Sequence, residues 1–110
     1  GEGADKHVME GLLLTMISQE LGHRVVGLVR VGERRWDVVL TNGQRILLPV
    51  EQADQALERV IALDQAQDLL NRDISVVDMR QSNRPTVRMS KTALDNLRQI
   101  RMIEFEGINQ

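Results

Sequence analysis

Hydrophobic positions follow two rhythms along the chain. Over residues 5–21 they recur at helical spacing, with Met9, Leu13, Met16 and Ile17 near one stripe, Asp5 placed to cap the start and Gly22 to stop it. Residues 24–31, RVVGLVRV, are rich in Val and end at Gly32; WDVVL (36–40) and RILLP (45–49) follow. Three short strands in succession predict an antiparallel meander. Between the last two, Asn42 and Gly43 have the composition of a type I′ hairpin turn, whose geometry needs positive φ at both central residues.

After Pro49 the helical period returns. Residues 51–73 carry Ala53, Ala56, Leu57, Val60, Leu63 and Leu70 close to one face, without Gly or Pro, and predict a long second helix packed on the sheet. Residues 74–80, ISVVDMR, read as a strand and residues 85–90, PTVRMS, as another. Pro85 removes a ladder donor, and the charges of Arg84 and Arg88 discourage indiscriminate pairing, so this last strand belongs at a sheet edge. Thr92 and Asp95 form a capping box for a short C-terminal helix through Leu94, Leu97 and Ile100. The expected fold is therefore α+β: one mostly antiparallel sheet, a three-strand meander plus two C-terminal strands, covered by two helices. Residues 1–90 form the domain, and residues 91–110 a tail that is helical or partly disordered.

Composition narrows the function. A chain of 110 residues with 42% hydrophobic content supports one compact core. Net charge −2, a single Trp, a single Phe and no Tyr offer neither long-range attraction nor stacking surfaces to nucleic acid. Without Cys there is no thiolate nucleophile and no disulfide, which leaves the redox compartment open. The longest apolar run, residues 12–17 with Thr15 inside it, is too short for a membrane span, so the chain as given reads as a soluble domain. It starts at Gly1 without an initiator Met, and an excised domain with any targeting segment upstream is expected.

Candidate chemistry is sparse. A metal site would have to combine His7 and His23 with carboxylates such as Asp5 or Glu10, and no HExxH spacing is present. The GxG at residues 1–3 lacks the preceding strand and the remaining residues of a phosphate loop. The pairs Glu51 with Asp54 and Asp64 with Asp68 read as solvated helix faces, because nothing local suggests burial that would part their pKa values. Ser18, Ser75, Ser82 and Ser90 have no GxSxG context. Trp36 alternates with Val38 and Leu40, which favours a core role over an exposed anchor, and Arg34 and Arg35 read as a solvated turn flank. No enzyme, cofactor or metal is expected. The one feature with binding potential is the last strand, whose vacant backbone groups can take up a strand from another chain, or can equally be blunted and silent.

The stretch RRWDVVLTNGQRILLP, followed by ALERVIALDQAQDLLNRDISVVDMRQSNRPTVRM, resembles the C-terminal periplasmic region of the FtsQ cell-division family (DivIB in Gram-positive bacteria). The likeness covers residues 1–89 and is carried by Trp36, the Asn42-Gly43 turn with Leu48 and Pro49, and Val77 to Arg80 with Arg84, Val87 and Arg88. The RRW and LLP forms look like alphaproteobacterial members. The resemblance implies part of a single-pass inner-membrane protein: a cytoplasmic tail, a transmembrane helix, a POTRA domain and then this β domain in the periplasm. It implies a non-enzymatic divisome scaffold that recruits the FtsB and FtsL pair at the septum, its last strand accepting a strand from FtsB.

Carried over by position, the arginine that meets an acidic partner residue is Arg80, and the strand-addition segment is residues 81–89. The implied partner-binding residues are Arg80, Gln81, Ser82, Asn83, Arg84, Thr86, Val87, Arg88 and Met89. Enteric members place aromatic residues in this segment, whereas Gln81 and Met89 stand here, so the anchors differ. The alternative is a structural or self-associating α+β domain whose edge is closed by its own tail or by a second copy.

Overall fold

The computed structural model describes residues 2–81 and 84–108, and the side chains of residues 6–81, 84–92 and 94–100. Helix α1 (Glu2–Ser18) runs into a 3-10 turn (Gln19–Arg24) and then strand β1 (Val25–Val31). Strands β2 (Arg35–Leu40) and β3 (Arg45–Leu47) follow, then helix α2 (Ala53–Gln67) and a second 3-10 turn (Leu69–Asn71). Strands β4 (Ile74–Asp78) and β5 (Thr86–Met89) complete the sheet before helix α3 (Lys91–Ile108).

The five strands lie in the order β1-β2-β3-β4-β5. Adjacent strands are antiparallel except β3 and β4, which are parallel. A parallel pair cannot be joined by a hairpin, and α2 serves as the crossover. The α+β class and the covered sheet are as the sequence pattern predicts.

Period-2 alternation decides which face is dry. Val38 and Leu40 of β2, Ile46 of β3 and Val77 of β4 point to one side and are buried, meeting Leu14 and Leu21 from the α1 segment and Leu57, Val60 and Ile61 from α2 in one cluster. The helices thus cover a single face. On the other face, Asp37 lies between Arg35 and Arg45, each 3.5 Å from its carboxylate. Arg35 is therefore half-buried in an ion pair and not part of a solvated turn flank, while Arg34 is exposed.

Several local expectations are corrected. The hairpin loop has three residues, Thr41 to Gly43: the Leu40 N–H donates to the Gln44 carbonyl at 2.9 Å and the Gly43 N–H to the Leu40 carbonyl at 3.0 Å. Only Gly43 (φ 87°) is left-handed there, which is a turn closed by a glycine bulge in place of the two-residue type I′ form. The Asn42 Oδ1 accepts from the Gln44 N–H at 3.1 Å, so the asparagine acts through its side chain.

Helix α1 begins at Glu2, so Asp5 lies inside it and does not cap it. Its inward stripe is Leu14 and Ser18, continued by Leu21; Met9, Leu13 and Met16 of the expected stripe are exposed, and only Ile17 packs on the core. The helix is apolar on both sides, so periodicity could not choose between them. Likewise α3 starts at Lys91, putting Thr92 within the helix and Ser90 at its cap position, where the Ser90 carbonyl accepts from Leu94 N–H at 3.0 Å. This C-terminal helix runs past Ile100 to Ile108.

The second helix is interrupted. At Asp68 the backbone turns left-handed (φ 53°), its N–H donating to the Asp64 carbonyl at 2.8 Å. The Asp64 carboxylate accepts from the Leu70 N–H at 2.9 Å and from Arg24 Nη2 at 2.7 Å. Asp64 is buried, which overturns its reading as half of a solvated carboxylate pair with Asp68. Its side chain competes with the helical ladder and replaces it with a 3-10 turn that drops Leu70 into the core.

Candidate functional site

The site begins with the way β4 is placed. Gln44 is buried at the head of β3, and its Nε2 donates to the carbonyls of Ile74 at 3.1 Å and Arg72 at 3.4 Å, tying the entry of β4 to the hairpin. At the far end, the Met79 N–H donates to the Leu47 carbonyl at 2.8 Å, extending the parallel pairing. A strand held at both ends is a firm base for whatever pairs with its other side.

That neighbour is β5. Its register on β4 pairs Thr86 with Asp78, Val87 with Val77, Arg88 with Val76 and Met89 with Ile74, a bulge at Ser75 absorbing the extra residue. No strand among the described residues pairs with its outer side. An antiparallel strand turns alternate residues' N–H and C=O outward, so the outer row of β5 is available to another chain. The tail does not supply a closing strand, because the chain turns into α3 at Lys91.

All four β5 residues are exposed. Val87 sits opposite buried Val77, so it and Met89 point to the helix side, yet they remain 47% and 41% exposed. Thr86 and Arg88 alternate onto the open face beside Asp78. A shallow groove of about 260 Å³ lies near the end of β4, lined by Met79, Pro49, Gln52 and the α2 residues Ala56 and Arg59.

Arg80 stands just beyond β4 as a fork on Asp78. Its Nε and Nη2 donate to the two Asp78 carboxylate oxygens at 3.0 and 2.7 Å, and its backbone N–H donates to Oδ1 at 2.9 Å. The hydrogen bond from the Arg80 side chain is the main reason the Asp78 carboxyl is held below its ordinary value of 3.8. Asp78 in turn raises the Arg80 pKa further.

Of the residues singled out from the sequence, Arg80, Gln81, Arg84, Thr86, Val87, Arg88 and Met89 are all exposed along one edge of the sheet. Ser82 and Asn83 lie outside the described residues. Asp78 was missed. Its signal was present, since residues two apart on an extended segment share a face, and an Asp-x-Arg there is set to pair. Among the described residues the other edge, β1, also has a free side; Val26 and Val29 are exposed there, but its other five residues are half-buried and α1 flanks it. Neither His7 nor His23 belongs to any group of three potential metal ligands among the described residues.

These features define a class: a single-sheet α+β domain with its terminal strand left as an exposed edge. The family profile described as "Cell division protein FtsQ/DivIB, C-terminal" matches residues 3–80. Among curated proteins, the cell division protein FtsQ of Dinoroseobacter shibae is 60% identical over 108 residues, covering 98% of this chain and 36% of that protein. FtsQ of Cereibacter sphaeroides is 50% identical over 97% of this chain and 35% of its own length. FtsQ of Bartonella bacilliformis is 41% identical over 91% of this chain and 32% of its own length. The chain belongs to the FtsQ/DivIB cell-division family and corresponds to its C-terminal region. It spans about a third of the length of the relatives it matches. Among the described residues no helix is long and apolar enough to cross a membrane.

Proposed function

We propose that this domain is a non-enzymatic divisome scaffold on the periplasmic face of the inner membrane, and that it recruits an FtsB-type partner, with FtsL, by strand addition along β5 and the residues from Arg80 that precede it. The observation that carries the reading is the exposure of all four β5 residues beside an outer ladder that no strand among the described residues pairs. Backbone pairing over four residues forms about four hydrogen bonds, each about 1 kcal/mol net, which alone corresponds to roughly millimolar binding. Affinity then has to come from side chains. On the helix side Val87 and Met89 are a ledge for apolar partner residues. On the open face Arg88, and Arg80 with the donors that Asp78 does not use, favour acidic ones.

Amide exchange of the domain with and without the periplasmic segment of its cognate FtsB tests this. Protection centred on residues 84–89 is expected. Protection confined to β1, or none anywhere, refutes β5 as the acceptor.

A further inference from the structure

The chain holds five methionines and no cysteine, so thioethers are its readily oxidised sulfur groups. They differ in access and in place. Met79 is 5% exposed and shielded within the core, whereas Met89 is 41% exposed on β5. Met9 and Met16 are exposed too, but they stand on α1, which packs against β1 at the opposite edge of the sheet. Of these four, Met89 alone lies on the strand that offers its outer ladder to a partner, where it and Val87 form the apolar ledge.

Resting on that strand-addition reading, we propose that Met89 is an oxidation site through which a peroxide switches partner binding off. The sulfur lone pair attacks one peroxide oxygen. An S–O bond forms as the O–O bond breaks, the sulfur gives up two electrons, and the second oxygen leaves as water. The product, methionine sulfoxide, is polar and brings a strong hydrogen-bond acceptor to a ledge of hydrocarbon and thioether.

In the free domain that change costs little, because the Met89 side chain already faces water. In the complex an apolar partner residue has to cover the same group, and a sulfoxide oxygen left without a donor there carries the desolvation penalty of a buried polar atom. The modification therefore acts on binding and not on folding. A partner strand already in place screens the sulfur from solvent, so peroxide silences unoccupied domains and spares occupied ones. Methionine sulfoxide reductases reverse the step.

Hydrogen peroxide treatment of the 110-residue chain, followed by peptide mass spectrometry and titration with the periplasmic segment of the cognate FtsB, tests the proposal. Met89 is expected to gain one oxygen while Met79 stays reduced. The circular dichroism is expected to be unchanged and the affinity to fall about tenfold, comparable to forfeiting the burial of much of one Met side chain. Met9→Leu, Met16→Leu and Met102→Leu combined are expected to leave that fall in place. Met89→Leu, whatever its starting affinity, is expected to bind equally before and after treatment. Adding the segment first is expected to slow oxygen uptake at Met89. Met89 oxidising no faster than Met79, an oxidised Met89 that leaves affinity unchanged, or a Met89→Leu domain that loses affinity as the native chain does, overturns the proposal while amide protection at residues 84–89 keeps strand addition standing. Absence of that protection in the untreated domain takes down both together.

Discussion

Arg80 grips Asp78 with two side-chain donors and its own backbone N–H, at 2.7 to 3.0 Å. The carboxylate therefore orients the guanidinium at the entrance to the β5 edge before any partner arrives. Arg80→Glu would put two carboxylates there. It is expected to weaken FtsB binding roughly tenfold, chiefly through the association rate, with the melting temperature almost unchanged because the group is solvent-exposed. Titration calorimetry paired with a thermal melt checks both halves, and an unaltered affinity rules out the role.

The same contact has an acid signature. The hydrogen bond from Arg80 depresses the Asp78 pKa in the folded state. Asp78 therefore contributes stability that is fully present above the ordinary carboxylate value and is lost as pH falls through the depressed one. An NMR titration should place the Asp78 midpoint below 3.8, and Arg80→Ala should return it towards that value.

Asp64 is a more severe point. Removing its carboxylate leaves Arg24 without its partner 40 residues away and the Leu70 N–H unsatisfied in a buried site. Asp64→Ala is expected to cost about 3 kcal/mol in urea unfolding. A loss below about 0.5 kcal/mol would mean that water replaces both contacts.

Trp36 and Gly11 are matched in the same way. A Cβ at Gly11 would lie 3.1 Å from Cη2 and 3.2 Å from Cζ2 of the indole, and Arg30 covers the ring at 5.3 Å from its centroid. Trp36→Ala should destabilise by about 2 kcal/mol, below the range for a fully buried ring since the residue is half-buried. With the ring gone, Gly11→Ala should stabilise by about 0.5 to 1 kcal/mol through helix propensity. In the wild-type background the same change should gain less, and a double-mutant cycle reads the difference.

Most elements were legible in the sequence because each buries one face, and burying one face imposes a period. Val38, Leu40 and Ile46 alternate, and Leu57, Val60 and Ile61 recur at helical spacing, so strands and helix could be placed from neighbours a few residues apart. The edge position of β5 was legible for a related reason: Pro85 and Arg88 suit a strand with one unpaired side.

Contacts between distant segments settled what remained. Helix α1 carries apolar residues on two sides, so only docking against β1, Trp36 and α2 selected Leu14 over Met9, Leu13 and Met16 as the buried set. The break at Asp68 depends on a carboxylate whose partner, Arg24, arrives from another element, and the parallel pairing of β3 with β4 depends on where α2 delivers the chain. Periodicity is a property of neighbours in sequence. Choosing between two equivalent faces, or burying a charge, takes a partner that only the folded chain brings near.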